Sequence, residues 1–395
     1  MKILNWKTFK IEQLGQTVSG GTPKTNVKNY WDGDINWITP TDVTAMKGRK
    51  FIDSTNRKIT KEGLESSSAN MLPIGTLIIC TRATIGDCVV NKIPISTNQG
   101  FKSLIPNDNV LSEYLYYWII SNKQTLINQS SGSTFLELST KSFKNLDVII
   151  PPLPEQQKIS EILSTVDAKI EIIDQQISET YELKKGLMQQ LLSKGIGHTE
   201  FKDSVLGKIP KSWEVVKQAE VATFYNGRAY KRTEWEESGI PVIRLQNLTG
   251  TGKDYYYSNL ELPEHQYCHK GDLLYMWSAT FGPVWWFGEK AIYHYHIWKI
   301  EHDSNRLNRD FHFYLLDSVT TRMKNQSHGS TMLHVTKGGM EKLSIQLPSI
   351  SEQNQIAEIL SSVDDKLQVL SEKKTTYQEM KQGLMQQLLT GKVRV

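Results

Sequence analysis

The chain has 395 residues, 38% hydrophobic and 22% charged, with a net charge of +4. At roughly 100–200 residues per domain this length predicts two or three domains with ample core, and the composition excludes disordered and fibrous classes. No apolar run approaches the ~18 residues of a membrane span, MKILNWKTFK lacks a signal peptide's apolar stretch, and Cys80, Cys88 and Cys268 make no disulfide framework, so cytoplasmic residence is expected.

Residues 1–154 mix short strands and helices. Leu77–Cys80 and Val148–Ile150 read as strands and LSEYLYYWIIS (111–121) as a helix. Between them lie the glycine-bearing loops SGGTPK (19–24), TRATIG (81–86), STNQG (96–100) and SGST (131–134), and function tends to sit in loops held by a scaffold. This segment carries 17 Lys/Arg against 12 Asp/Glu. Lys24, Lys28, Lys47, Arg49, Lys50, Arg57, Lys58 and Lys61 cluster among Thr22, Asn26, Thr39, Thr41 and Asn56. That pattern fits a solvated surface or contact with phosphates and base edges.

Residues 155–197 read as one long helix. Ile159, Leu163, Val166, Ile170, Ile173 and Ile177 alternate spacings of four and three, as a two-helix seam requires, and the seam resumes at Leu187 and Leu191. Pro151, Pro152 and Pro154 punctuate its start and Gly195 its stop.

Residues 198–350 form a second front. Leu343–Leu347 alternates as a strand, and 308–324 reads as a helix. Its loops include YNGRAYK (225–231), RLQNLTGTGK (244–253) and HGST (328–331). All nine histidines fall at or after His198. His265, Cys268 and His269 lack a second cluster for zinc. His294 and His296 would share one face of a strand, and the nearby tryptophans read as core more readily than as stacking platforms. Residues 351–395 repeat the seam with Ile356, Leu360, Val363, Leu367, Leu370, Leu384 and Leu388, closing at Gly391.

The repetition is internal duplication. EQQKISEILSTVDAK (155–169) returns as EQNQIAEILSSVDDK (352–366), and KKGLMQQLL (184–192) as KQGLMQQLL (381–389), both at an offset of 197 residues. GSTFL (132–136) matches GSTML (329–333) at the same offset, while the fronts diverge upstream. Each back, at 38 residues, predicts a rod of roughly 57 Å. Two such rods are expected to pair antiparallel about an approximate twofold axis. Gly186 and Gly383, at equivalent positions, suggest close helix approach or a bend. Lys184 and Lys381 suit either snorkelling or a register-setting role.

Catalytic motifs are missing. Gly250-x-Gly252-Lys253 is followed by Asp254 where a phosphate-binding loop needs Ser or Thr. There is no G-x-S-x-G and no H-E-x-x-H. The chain reads as a reader and scaffold rather than a catalyst.

PPLPEQQKISEIL and KKGLMQQLL behind tandem fronts resemble the specificity subunits of type I restriction–modification systems. SGGTPKTNVKNYWDGDINWITPTDV, LPIGTLIICTRATIGD and STNQGF resemble one class of their target-recognition domains; NGRAYKRTEW, IPVIRLQNL and KGDLLYMWSATFG resemble another. The resemblance implies an α+β fold: target-recognition domains at 1–154 and 198–350, with antiparallel coiled-coil helices at 155–197 and 351–395. It implies a non-catalytic subunit reading double-stranded DNA as two half-sites in the major groove, with two modification (methyltransferase) subunits docked on the helices. S-adenosylmethionine would then sit on those subunits, and ATP and Mg2+ on the partner restriction subunits. The alternative is a coiled-coil scaffold whose fronts bind proteins.

Candidate DNA contacts in the first front are Thr22, Lys24, Lys28, Thr39, Arg49, Arg82, Thr84, Asn98, Gln99 and Ser133. In the second they are Arg228, Tyr230, Lys231, Arg244, Gln246, Asn247, Ser278, Thr280, His294 and Ser330. Arg and Lys suit guanine, Asn and Gln adenine. Candidate docking positions are Ile159, Leu163, Val166, Leu187, Leu191, Ile356, Leu360, Val363, Leu384 and Leu388.

Overall fold

The computed structural model describes residues 5–132, 136–278, 280–326 and 335–395. Two compact units emerge, and they do not follow covalent order: one joins Met1–Gln175 to Glu372–Val395, the other is Gln176–Ser371. Each holds one front, part of the central helix (Leu153–Lys194) and part of the terminal helix (Ile350–Leu388).

In the first unit, β1 (Lys7–Lys10) pairs antiparallel with β10 (Asp147–Ile150). A five-stranded sheet runs β2 (Gly15–Ser19), β9 (Phe101–Pro106), β6 (Leu77–Cys80), β7 (Cys88–Asn91), β4 (Phe51–Ile52). A three-stranded sheet runs β5 (Arg57–Ile59), β3 (Trp31–Ile38), β8 (Ser96–Thr97). LIIC of β6 is buried along its whole length, as an unbroken apolar run predicts. Helix α1 (Pro40–Ala45) follows Thr39, whose amide donates to Asp42 Oδ2 at 2.8 Å in a capping box with proline at the first turn. Helix α2 (Ser112–Ser121) buries Tyr114 through Ile119, so it lies inside rather than on the surface. Its core continues into Ile159 and Leu163 of the central helix, into Met385 and Leu388 of the terminal one, and into Leu389 just beyond it.

The second unit repeats this plan with changes. A hairpin, β11 (Phe201–Ser204) and β12 (Gly207–Pro210), precedes β13 (Glu214–Lys217), which pairs with β22 (Ser344–Leu347) as β1 does with β10. One four-stranded sheet runs β14 (Ala222–Asn226), β21 (Ile297–His302), β18 (Leu273–Ser278), β19 (Thr280–Trp285). The other runs β16 (Tyr256–Ser258), β15 (Ile240–Ile243), β20 (Ala291–Tyr293), β17 (Tyr267–Cys268). Short α3 (Leu245–Thr249) occupies α1's place and α4 (Arg309–Gln326) that of α2. A buried polar chain runs through this core: His302 Nε2 lies 2.9 Å from His312 Nδ1, and His312 Nε2 lies 2.8 Å from Gln218 Oε1.

The duplicated Glu-Gln at each helix start has a structural reason. Gln156, fully buried, donates to the carbonyls of Asn109 and Pro151 (3.0 and 2.9 Å) and accepts from the Leu111 amide at 2.9 Å. Gln353 does the same with Arg306, Pro348 and Asn308 at 2.8, 2.9 and 2.7 Å. A buried amide left unpaired is costly, so satisfying it three ways fixes where the helix meets its front. The neighbouring carboxylates act alike: Glu155 accepts from Trp6 Nε1 at 3.0 Å and pairs with Arg394, while Glu352 accepts from Trp213 Nε1 at 2.9 Å and pairs with His198.

The seam lysines pair across the helices. In the first unit Lys381 Nζ lies 2.6 Å from Asp167, which also accepts from Tyr117 Oη at 2.6 Å. Lys374 meets Asp174 at 2.6 Å. One partner's number falls as the other's rises, so the segments are antiparallel. In the second unit Lys184 meets Asp364 at 2.6 Å, and Tyr314 Oη donates to the same carboxylate at 2.8 Å. Register-setting, rather than snorkelling, describes Lys184 and Lys381. Close approach at the glycines does not hold: a Cβ on Gly186 or Gly383 would meet nothing within 4 Å.

Candidate nucleic-acid interface

In each unit two parallel strands end together and gather the polar loops. β3 and β8 pair in parallel at Trp37–Ser96 and Ile38–Thr97, then Asn98 N donates to Ile38 O at 3.2 Å. Gly21 N donates to Thr97 O at 2.9 Å and Thr81 N to Gly100 O at 2.8 Å. The second unit reproduces this frame. β15 and β20 pair in parallel, His294 N donates to Ile243 O at 2.9 Å, Arg228 N to Tyr293 O at 3.2 Å and Trp277 N to His296 O at 3.2 Å. These bonds equate Gly21 with Arg228, Asn98 with His294 and Thr81 with Trp277. A Cβ at Gly20 would stand 2.0 Å from Asn98 O and one at Gly227 2.2 Å from His294 O, so the chain can pass there only as glycine.

In the first unit this loop end carries Thr22, which is hydrogen-bonded to Gln99, together with Asn98, Thr39 and Arg82. Asn98 Oδ1 accepts the Gly100 amide at 2.8 Å, which directs its NH2 group away from the turn. Arg82 is half-exposed and pairs with Glu137 at 2.8 Å. Arg57 stacks over Trp31 at 4.0 Å and Trp37 at 5.1 Å. Lys24 and Lys28 are exposed, and the Lys24 carbonyl accepts from Trp31 Nε1 at 3.2 Å. Thr84 is tucked inward with its hydroxyl buried. Arg49 stands apart, 3.9 Å from Glu171 of the central helix, so it does not join the loop cluster. Ser133 and Ser330 lie outside the described residues.

In the second unit the same positions hold larger groups. Arg244 lies over Tyr256 at 5.1 Å and Trp235 at 6.0 Å. Arg228 pairs with Glu234 at 2.5 Å, which anchors it beside Tyr230. Lys231, exposed, gives its amide to Glu234 at 2.7 Å. Asn247 holds its own loop, accepting from Arg244 N at 2.9 Å and donating to Asp254 O at 3.0 Å, so its amide is structural. Gln246 carries the carbonyl that closes this loop on Gly252. Ser278 and Thr280 face each other across the hairpin tip. His294 and His296 do not share a strand, because β20 stops at Tyr293 and 294–296 turn, with Ile297 N donating back to His294 O. Burial, His296 and Arg244 together push the His294 pKa down to about 4, so the ring is neutral near pH 7. Sequence reasoning missed Tyr295, the exposed tip of this turn, whose ring lies 3.8 Å from that of His296. The signal in the sequence is that IYHYHI (292–297) stands where STNQGF (96–101) does, with Tyr295 in the place of Gln99.

The ten seam positions offered as docking sites are not outward-facing. Ile159, Leu163, Ile356 and Leu360 are fully buried; Val166, Leu191, Val363 and Leu388 are nearly so; Leu187 and Leu384 pack against the unit cores. They hold this chain together, and a partner would meet other residues. On the same helices Ile172 and Val369, and Leu183 and Met380, two pairs at the 197-residue offset, are exposed. Elsewhere, Cys268 is buried with its thiol donating to Ala291 O, while His265 stacks on Tyr225. No described helix is long and apolar enough to cross a membrane.

The loop ends offer guanidinium, amide, hydroxyl and aromatic groups on a rigid frame built twice, which defines a duplicated α+β recognition protein. A model of the type I restriction modification DNA specificity domain matches residues 3–181 and 210–378. The chain belongs to this family. It is 34% identical over 255 residues to the MjaIX specificity subunit of Methanocaldococcus jannaschii, covering 62% of this chain and spanning 58% of that relative's length. The MjaVIII specificity subunit of the same organism is 27% identical over 409 residues, covering 99% and 93%. The fold is similar to the solved type I S subunit from M. genitalium (TM-score 0.55, 14% identity, 98% and 97% covered). It is also similar to a chain from a structure of type I system assembly and conformational transition (TM-score 0.61, 16% identity, 98% of each covered).

Proposed function

We propose that this chain is the non-catalytic DNA-reading subunit of a type I restriction–modification complex, with each loop end reading one half of a split, asymmetric site in double-stranded DNA. The observation that carries this reading is one backbone frame bearing two different side-chain sets: Thr39, Asn98 and Gln99 in one unit, Arg244, His294 and Tyr295 in the other. Equal frames would approach DNA alike, and unequal side chains would select different bases. Two modification subunits would dock on the duplicated helix backs and supply S-adenosylmethionine, while restriction subunits would bring ATP and Mg2+.

The test is to sequence methylated adenines in cells expressing this chain with its modification subunit. A split motif with two unlike halves and an unread gap is expected. A continuous or palindromic motif would refute two distinct readers.

A further inference from the structure

The two units also differ beside one sheet edge, away from the loop ends. In the first, the segment between α1 and β5 spans residues 46–56 and contributes β4, which pairs in parallel with β7. Val90 N donates to Lys50 O and Lys92 N to Ile52 O, both at 2.8 Å. Lys50 then runs inward and is almost fully buried. Its ammonium meets Glu113 at 2.8 Å, Ser164 at 2.6 Å and Tyr117 Oη at 3.4 Å, and lies over the Phe51 and Tyr117 rings.

In the second unit the corresponding connection, between α3 and β16, is only residues 250–255. It is too short to provide a fifth strand, and β19 ends its sheet. The residues that would receive the strand and its lysine are nevertheless present. The register of β6 with β7 and of β18 with β19 equates Val90 with Trp285, and the bonds Asn91 N–Thr76 O and Trp286 N–Asp272 O extend the match to Lys92 and Phe287. The duplication equates Glu113, Tyr117 and Ser164 with Asp310, Tyr314 and Ser361. Trp285, Asp310, Tyr314 and Ser361 line a single cavity of about 410 Å³, together with Glu358. Phe287, two residues beyond Trp285, is 71% exposed. Among the described residues Asp310 has one loose ion pair, 3.8 Å from Arg309, which itself stacks over Trp285. Among the described residues no ion pair engages Glu358.

We propose that this cavity and the β19 edge form a docking slot for an extended segment of a partner protein that carries a lysine. The partner strand would add to the edge as β4 does, with its ammonium reaching Asp310, Ser361 and Tyr314 beside Glu358 and an adjacent apolar side chain against Phe287. Pro283 has no amide hydrogen, so pairing is confined to the Trp285–Phe287 end of the edge, the same end used by β4. The occupant named here rests on the reading that this chain assembles with modification subunits. The two subunits would then be held unequally, because only the second unit offers the slot.

The whole chain supplies its own probe, a fluorescent peptide of residues 46–55 (MKGRKFIDST). Saturable binding of one peptide per chain is expected, weakened roughly tenfold by Asp310→Lys with Glu358→Lys or by Gln in place of the peptide lysine at position 50. Both chain positions are exposed, so these changes leave the fold intact. Absence of saturable binding into the millimolar range, or binding indifferent to the reversals, would overturn the slot. Adding the modification subunit should displace the peptide. A complex that forms with peptide still bound would overturn the named occupant. If no complex forms at all, the proposed function fails, and peptide binding still decides the slot.

Discussion

Asp167 with Tyr117 and Lys381, and Asp364 with Tyr314 and Lys184, are the same three-residue arrangement built twice, to within 0.2 Å in each polar distance. At the loop ends the two units share backbone hydrogen bonds but almost no side chains. Where polar groups are buried between helix and front, each must find its partners, and a change at one residue strands the others. Where side chains project from an open frame, each can change alone. The comparison therefore separates the part of each unit that fixes geometry from the part free to choose a ligand.

Charge placed in the shared seam should do most damage. Leu163→Asp puts a carboxylate at a fully buried position and is expected to cost about 4–5 kcal/mol in the first unit, with Leu360→Asp doing the same in the second. Each unit's unfolding is to be followed by calorimetry; unchanged melting in either variant would show that the seam is not part of that unit's core.

Acid should separate the two units. Burial lowers the His302 pKa from 6.5 to about 4, and burial together with His302 holds that of His312 well below its ordinary value. Both are neutral when folded and protonate more readily when unfolded. Their contribution is complete above about pH 6.5 and is lost as pH falls toward 4. The first unit contains no histidine. Thermal melts from about pH 7 to about pH 5 should therefore show the second unit's transition falling further, and parallel behaviour would break the distinction.

Asp364→Asn and Asp167→Asn should each cost about 2 kcal/mol, below the loss for a fully buried pair because the partners are partly exposed. Equal losses would sharpen the equivalence of the two arrangements. Smallest is Arg244→Ala, expected to weaken specific DNA binding by about 1–2 kcal/mol. It should relax selectivity in one half of the motif, and methylation sequencing would expose a change in both halves.

Much of the fold was legible. The 197-residue offset gave the duplicated plan, and the fours-and-threes spacing gave helices that run Leu153–Lys194 and Ile350–Leu388. LIIC and the 111–121 and 308–324 segments fall on β6, α2 and α4 nearly to the residue. Periodicity within a segment reports which residues are apolar together, not what covers them, and so Leu163 and Leu360 looked available to a partner when their own unit buries them. The glycine-bearing loops were legible as loops. Arg49 is basic and close to them in sequence, yet it lies beside Glu171 of the central helix, and the amide of Asn247, a type suited to adenine, is consumed by its own turn.

By itself, the sequence determined duplication, helix period and the loops that differ, because these are properties of residue order and local spacing. Only the tertiary structure decided which halves pack together, since the compact units join Met1–Gln175 to Glu372–Val395 across the whole length of the chain. It also decided that five fewer residues after α3 than after α1 remove a strand and a buried lysine from the second unit. A connection's length acquires that meaning only beside the sheet edge it fails to cover, and no run of residues read alone contains that edge.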